Sequence, residues 1–222
     1  TVRIFLQLSI IIPVFNSASF ILQSLDILSK YLKTNYKDYE IIVVDDGSTD
    51  NTFSLLNELQ EQSLIILKHD KNLGKFAAIK TGMKRVSGEC CIFIDADLPV
   101  DLEAIGYSEH LVCNKGFHLV IGDRSLVSSP IKYNWRSLLR LFFSACCRFY
   151  VRILVTSGFP DTQCGFKAFN SHVAKALFDL SRDSGFAGDI EILYIALKYN
   201  LSIRRIPVRI VRSAASSVRL SQ

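Results

Sequence analysis

Two acidic side chains separated by one residue, Asp95 and Asp97, directly follow the apolar stretch Cys90–Ile94. Carboxylates this close to each other and to an apolar segment repel each other, and they are costly to bury without a cation. Mg²⁺ and Mn²⁺ prefer oxygen ligands and often bind one or two carboxylates together with substrate phosphates. The spacing therefore predicts that Asp95 and Asp97 bind a divalent cation and a diphosphate, although a solvated turn with helix-capping aspartates has the same pattern.

A second acidic turn, Asp45-Asp46-Gly47-Ser48, follows another apolar stretch at residues 39–44. Asp46 can accept hydrogen bonds from a nucleobase or a ribose. Further along, a basic loop ends at Lys75, where a predicted helix begins, and helix N-termini bind phosphate groups. Each motif alone is also typical of a capped turn or a solvated loop, so both alternatives stay open at this point.

Three arginines form the third group of candidate residues. Arg124 follows a predicted strand, and Arg136 and Arg140 are four residues apart, which places them on one helix face. A guanidinium group binds phosphate oxygens with two parallel hydrogen bonds. Several such groups together would suit ligands that contain more than one phosphate, whereas the alternative for each arginine is a surface ion pair.

The elements that position these residues alternate between strand and helix. Apolar runs and helical spacing predict strands at Leu8–Val14, 39–44, Leu64–Lys68, Cys90–Ile94, 119–121 and 203–211, and helices at 19–33, 49–62, 74–86, 134–156, Ser171–Leu180 and from 188 onward. This alternation predicts a parallel sheet with right-handed crossovers. In such sheets, ligands bind at the carboxyl ends of the strands, where both acidic turns are found. The lack of a linker or repeat in 222 residues predicts one domain, 1–222.

Composition narrows the class of partner. A net charge of +5 suits anionic partners such as nucleotide diphosphates, lipid phosphates or an anionic membrane, but without a basic tract it does not indicate nucleic acid. The six cysteines match neither a disulfide framework nor a metal-binding spacing, which indicates small buried side chains. The apolar segment 138–155 contains arginines, so it is either a helix at the membrane interface or a core helix.

Seven motifs, in order along nearly the whole chain, resemble those of the inverting family 2 glycosyltransferases. They are Pro13-Val14-Phe15-Asn16, Asp45-Asp46-Gly47-Ser48, Asn72-Leu73-Gly74-Lys75, Asp95-Ala96-Asp97, Gly122-Asp123-Arg124, the stretch from Asp161 to Lys167, and Asp189-Ile190-Glu191. The stretch from Asp161 to Lys167 is the most specific, and it most resembles the dolichyl-phosphate β-glucosyltransferases and their polyprenyl-phosphate relatives. The chain departs from the usual pattern at Phe15, Pro99 and Asp123, where relatives often have Tyr, Gln and a small residue, respectively.

This resemblance implies an α/β chain with a GT-A fold, in which helices flank a Rossmann-like, mostly parallel central sheet. It implies a nucleotide-sugar-binding half at about 1–97 and an acceptor-binding half at about 98–222. The implied catalytic residues are Asp97, Asp161 and Asp189, and the implied ligands of Mg²⁺ or Mn²⁺ are Asp95 and Asp97. The implied substrate-binding residues are Pro13, Phe15, Val44 and Asp46 in the nucleoside pocket, together with Lys75, Asp95, Ala96, Arg124, Arg136, Arg140 and Gln163.

The resemblance also implies an activity, the inverting transfer of a hexose from a nucleotide-sugar to a polyprenyl or dolichyl phosphate, with UDP-glucose favoured as donor. The expected location is a membrane surface with the active site on the cytoplasmic face, at the endoplasmic reticulum in a eukaryote or at the inner or plasma membrane in a bacterium. The alternatives are a glycan or polysaccharide acceptor, a mannosyltransferase using GDP-mannose, a sugar-nucleotide pyrophosphorylase, and a binding module without activity. A pyrophosphorylase would need a Gly-rich loop after the first strand, which residues 13–19 do not provide.

Overall fold

The computed structural model describes residues 6–127, 159, 161–183, 185 and 187–209. Over these residues the strands are β1 (Leu8–Val14), β2 (Tyr39–Asp45), β3 (Leu64–Lys68), β4 (Cys90–Ile94), β5 (Leu119–Asp123), β6 (Phe166–Asn170) and β7 (Ile203–Pro207). The α-helices are α1 (Ile21–Asn35), α2 (Thr52–Asn57), α3 (Lys75–Arg85), α4 (Glu103–Glu109), α5 (Ser171–Leu180) and α6 (Gly188–Lys198). A π-helical turn (His110–Asn114) follows α4, and a short 3₁₀ helix (Arg124–Leu126) follows β5.

The strands form one sheet in the order β3-β2-β1-β4-β6-β5-β7. The pairs β3–β2, β2–β1, β1–β4 and β5–β7 are parallel, whereas β6 runs antiparallel to both of its neighbours. The predicted Rossmann-like, mostly parallel sheet flanked by helices is therefore confirmed. The antiparallel direction of β6 has a consequence for the site, because it places the start of β6 beside the ends of β4 and β5.

The apolar core is divided by the sheet into two layers. One layer packs against α1 and α4 and contains alternate residues of the central strands, such as Ile10, Ile12 and Val43. The other packs against α3, α5 and α6 and contains Ile11 and Val44. Because both faces of the sheet are covered, the central strands are apolar at nearly every position. Three of the cysteines complete this core as buried free thiols: Cys90, Cys91 and Cys164.

Four elements differ from the sequence prediction. Strand β6 was not predicted, because its second residue, Lys167, is charged, yet the structure leaves only 1% of that lysine exposed. Helix α4 was not predicted either. The helix predicted over 49–62 is much shorter, since only Thr52 and Leu56 of α2 are buried and little apolar surface follows them. The last strand was predicted over 203–211, but β7 ends at Pro207, two residues before the described range ends at 209.

Two predictions fall on residues outside the described ranges. They are the helix at 134–156, which includes Arg136 and Arg140, and the proposed interfacial segment at 138–155. Among the helices of the described ranges, none combines the length and the apolar character that a membrane crossing requires.

Candidate functional site

Most of the predicted site residues that the structure describes lie at one edge of the sheet. Strands β1, β2, β4 and β5 all end at this edge, because they run in the same direction. The antiparallel strand β6 begins at the same edge, since Phe166 pairs with Ile94 at the end of β4. The sheet therefore places the loop before β6, which contains the motif from Asp161 to Lys167, next to the acidic turn after β4.

The loops after β1 and β2 are tied together by Asn16. This residue adopts a left-handed backbone conformation with φ of 48°. Its Oδ1 accepts hydrogen bonds from the backbone N–H of Thr49 at 2.8 Å and from the Thr49 hydroxyl at 3.2 Å. Phe15, just before it, leaves 43% of its surface exposed, and Pro13 lies beyond the last residue pair between β1 and β4. An exposed aromatic ring on a fixed loop is a suitable surface for stacking a nucleobase.

The carboxylate of Asp46 holds the loop that follows β3. Its Oδ1 accepts hydrogen bonds from the N–H of Leu73 at 2.9 Å and is 2.7 Å from His69 Nδ1. Its Oδ2 accepts a hydrogen bond from the N–H of Gly74 at 2.8 Å. Asp46 is a predicted nucleoside ligand, and in the structure the same carboxylate also organises the loop leading to Lys75. Next to it, Asp45 is also buried, a candidate that the predicted residue set omitted.

Val44, which the resemblance assigns to the nucleoside pocket, is the penultimate residue of β2. Its side chain is fully buried in the core layer on the α3 side, where a methyl group added at Gly82 would contact it. Side chains alternate between the two faces of a strand, and Val44 follows Ile42 on the same buried face. The assignment of Val44 to the nucleoside pocket stays a prediction, to which its side chain contributes no exposed surface in this structure.

The acidic turn after β4 contacts the ammonium group of Lys75 and the backbone of Gly165. The ammonium group of Lys75, the first residue of α3, is ion-paired with Asp95 Oδ1. The backbone N–H of Asp95 donates a 3.1 Å hydrogen bond to the carbonyl of Gly165. A Cβ atom added to Gly165 would lie 2.0 Å from Asp95 Oδ2, so any larger residue there would require this carboxylate to move. Ala96 is half-buried against the core and separates the two acidic residues.

The electrostatics of Asp95 and Asp97 fit the binding of a divalent cation. Partial burial, and then the negative charge of Asp95, raise the pKa of Asp97. Additional positive charge beside Asp97, such as a bound divalent cation, would favour the ionised form of this carboxylate. The described residues contain no group of three or more His, Cys, Asp or Glu side chains that could hold a metal. Two carboxylates are sufficient where substrate phosphates complete the shell, as is usual for Mg²⁺.

Arg124 and Asp161 form a bidentate ion pair. Arg124 Nε donates to Asp161 Oδ2 at 2.8 Å, and an Nη atom donates to Oδ1 at 2.7 Å. The backbone N–H of Arg124 adds a third hydrogen bond at 3.0 Å. Burial alone would raise the pKa of Asp161, but these hydrogen bonds outweigh it and the pKa is lowered. Asp161 is therefore held as a carboxylate, and a carboxylate with a lowered pKa is a weak base.

The variant Asp161→Asn is expected to lower the free energy of unfolding by roughly 1 kcal/mol at neutral pH, a modest value because 44% of the Arg124 side chain is exposed. Because the pKa of Asp161 is lower in the folded protein, the ion pair stabilises above the ordinary carboxyl pKa of 3.8. That contribution is lost as the pH falls below this value toward the folded-state pKa. Urea unfolding of wild type and variant at a series of pH values measures the difference.

The matched control for this prediction is Asp26→Asn. Asp26 pairs with Lys30 at 2.7 Å on the exposed surface of α1, with 57% and 75% of the side chains exposed. Such pairs contribute little to stability, so this variant should unfold like wild type at every pH. The prediction is contradicted if the difference in unfolding free energy between wild type and Asp161→Asn stays constant down to pH 3. It is also contradicted if that difference is no larger than the one for Asp26→Asn.

Lys167 is a functional candidate that sequence reasoning treated only as part of a motif. Its side chain is 1% exposed, and Nζ donates to Asp189 Oδ1 at 2.6 Å and to the Cys164 carbonyl at 2.9 Å. Asp189 lies in the first turn of α6, and Gly188 beside it leaves no room for a Cβ against the ring of Phe76. The lysine therefore fixes the start of α6 to the motif before β6.

Of the remaining predicted residues, only Gln163 lies within the described part of the chain. Gln163 is exposed in the loop before β6, near Asp161. Arg136 and Arg140 lie outside the described residues. Asp123, one of the departures from the family pattern, is buried at the end of β5, and its Oδ2 is 3.2 Å from Arg205 Nε on β7.

Comparison with known proteins places the chain in a family. A family model described as glycosyl transferase family 2 matches residues 9–178. Dolichyl-phosphate beta-glucosyltransferase from Dictyostelium discoideum is 33% identical over 216 residues, covering 91% of this chain and 66% of that protein. The human protein of the same name is 30% identical over 216 residues, with the same two coverages. The chain thus spans about two thirds of the length of these two relatives.

A solved structure has the same fold. Glucosyl-3-phosphoglycerate synthase from Mycobacterium tuberculosis, in complex with Mg²⁺ and UDP, aligns with a TM-score of 0.65 at 17% identity, over 93% of this chain and 72% of that one. At this level of identity the likeness shows the fold alone. It confirms the predicted GT-A fold.

Proposed function

The chain belongs to the family 2 glycosyltransferases, and from this premise we propose that it transfers a hexose, with glucose favoured, from a nucleotide-sugar to a polyprenyl or dolichyl phosphate. The observation that most supports this proposal is the acidic turn after β4, where Asp95 is fixed against Gly165 and paired with Lys75. The names of the relatives support dolichyl phosphate as the acceptor and glucose as the sugar.

In the proposed donor complex, the loops after β1, β2 and β4 bind the nucleotide-sugar. Phe15 and Pro13 would contact the nucleoside, and Asp46 would order the adjoining loop. Asp95 and Asp97 would hold Mg²⁺ or Mn²⁺, which supplies positive charge to the leaving diphosphate when it is bound. Lys75 would contribute a further positive charge beside Asp95. The donor in this scheme is UDP-glucose, in keeping with the UDP bound to the solved structure of the same fold.

The proposed reaction is a single in-line displacement at the anomeric carbon. An oxygen of the lipid phosphate forms the new bond, the bond to the nucleotide diphosphate breaks with its electron pair, and the configuration inverts. A phosphate is already a nucleophile at neutral pH, so no strong general base is needed. Asp161 and Asp189 are each held by a cation, Arg124 and Lys167, so we assign them the orientation of the reacting groups rather than proton abstraction.

The acceptor side of the proposal depends on residues after Asp97. Arg124 lies beside the motif before β6, and Arg136 and Arg140 are proposed to bind donor or acceptor phosphates. Residues 138–155 are proposed to lie at a membrane interface, with the active site on the cytoplasmic face. One domain over 1–222, divided into donor-binding and acceptor-binding halves near Asp97, is part of the same proposal.

A matrix of donors and acceptors tests the proposed function. The chain is incubated with Mg²⁺ or Mn²⁺, with UDP-glucose or GDP-mannose as donor, and with dolichyl phosphate in vesicles or soluble oligosaccharides as acceptor. The expected result is a glucose-labelled lipid formed from UDP-glucose and dolichyl phosphate. Transfer from GDP-mannose, or to oligosaccharides instead of the lipid, would replace the proposed substrates. Binding of UDP without transfer to any acceptor would indicate a binding module.

A further inference from the structure

A continuous chain of contacts links a histidine outside the predicted site to the acidic turn. His69, the first residue after β3, is 2.7 Å from Asp46 Oδ1 through Nδ1 and 2.8 Å from Thr81 Oγ1 through Nε2. The side chains of His69 and Asp46 are only 10% and 4% exposed. Neither the family motifs nor the spacing of the sequence singled out His69, and the proposed reaction has no step for it.

The directions of these hydrogen bonds follow from the chemistry of the groups. A carboxylate only accepts hydrogen bonds. Nδ1 of His69 therefore carries a proton, and this N–H donates a hydrogen bond to Asp46. The other ring nitrogen, Nε2, then accepts from the Thr81 hydroxyl when the ring is neutral. Thr81 lies on α3, so both ends of the imidazole ring are fixed to ordered parts of the fold.

Asp46 in turn fixes the loop at residues 69–74 through hydrogen bonds to its backbone. Its two oxygens accept hydrogen bonds from the N–H groups of Leu73 and Gly74. The opposite side of the loop is fixed by Gly47, because a Cβ there would lie 2.4 Å from the backbone of Lys71. Gly74 has a φ of 102° and directly precedes Lys75, whose ammonium group is paired with Asp95.

We propose that His69 is a positioning residue for the donor diphosphate: through Asp46 it fixes the loop at 69–74, so that the Lys75 ammonium group reaches the acidic turn at Asp95 and Asp97. This inference rests on the proposed function, in which that turn binds the nucleotide diphosphate. His69 itself does not contact the reacting atoms. The alternative is a buried histidine that only stabilises the fold, and the two roles give different results in a binding experiment.

Two substitutions of His69 distinguish the effect of its hydrogen bond to Asp46 from the effect of losing the imidazole ring. Asparagine places its amide near Nδ1 and can keep the bond to Asp46, whereas glutamine reaches toward Nε2 and loses it. His69→Gln is expected to weaken binding of UDP with Mg²⁺ about tenfold, the effect of one hydrogen bond to a charged group. His69→Asn should weaken it less than about threefold, and Thr81→Val should fall between the two, because it frees the ring to change its hydrogen-bond partner.

Calorimetric titration of UDP in the presence of Mg²⁺ provides the measurement, with GDP as the second probe. A role in stability alone would lower the fraction of binding-competent protein and leave the Kd unchanged. His172→Gln, at an exposed position of α5, is the matched control and should bind like wild type. Failure of wild type to bind either nucleotide contradicts the proposed function, whereas equal Kd values for wild type and His69→Gln contradict only the role of His69.

A double-mutant cycle tests whether the effect passes through Lys75. Lys75→Met alone is expected to weaken UDP binding at least as much as His69→Gln. If His69 acts by placing Lys75, adding His69→Gln to Lys75→Met should weaken binding less than twofold further. Independent effects whose fold-changes multiply would overturn the proposed route, even if each single variant binds more weakly.

Discussion

Asp97→Asn is expected to slow sugar transfer about 1000-fold, which corresponds to about 4 kcal/mol in the activation barrier. An asparagine has the same shape but no charge, so the turn loses half of the negative charge that would hold a divalent cation. The raised pKa of Asp97, caused by burial and by Asp95, indicates that the two carboxylates already repel each other in the folded protein. Initial rates with UDP-glucose and dolichyl phosphate at saturating Mg²⁺ measure the loss.

The repulsion between the two carboxylates also predicts how stability should change. Removing one charge from the pair relieves that repulsion, so Asp97→Asn should fold at least as stably as wild type while losing activity. Asp179→Asn, at an exposed position of α5, is the control that should change neither property. A variant that retains near-normal turnover, or a wild-type enzyme that turns over normally with excess EDTA, would remove the basis for a metal site at Asp95 and Asp97.

The sequence was sufficient to predict the parallel half of the sheet. Four of the predicted strand positions, from Leu8 to Ile94, agree with β1 to β4 to within one residue, because each is an apolar run ended by turn residues. Their shared direction then placed Asp46, Asp95 and Asp97 at one edge without any structural information. Such predictions need only local patterns and the general rule that ligands bind at the carboxyl ends of parallel strands.

The features that the sequence did not predict depend on contacts between distant residues. A lysine within a buried strand is recognisable only when its partner is known, and Asp189 is 22 residues beyond Lys167. The contact of His69 with Asp46 joins loops 23 residues apart, so neither motif alone indicates it. Val44 was assigned to the pocket by resemblance, and its place in the core layer on the α3 side follows from packing between distant elements rather than from the pattern of β2, which is apolar toward both faces.

Lys167→Met is expected to lower the free energy of unfolding by about 3 kcal/mol, the usual cost of removing one partner from a buried ion pair. Methionine fills nearly the same volume, so the loss is electrostatic rather than a cavity. The Asp189 carboxylate, which is 14% exposed, and the Cys164 carbonyl would both lose their donor. Urea unfolding measures the change, and Lys30→Met at the exposed pair on α1 should show almost none.

A double variant separates the stability of this pair from its role in the reaction. Lys167→Met combined with Asp189→Leu removes both charges, and replacing a buried ion pair by apolar side chains is often neutral or stabilising. The double variant should therefore regain most of the stability lost in Lys167→Met and yet transfer sugar far more slowly than wild type, because Asp189 is absent. If the double variant is as unstable as the single one, the cost comes from packing rather than from an unpaired charge. If it regains both stability and activity, Asp189 has no role in orienting the reacting groups, and the pair only connects α6 to the sheet.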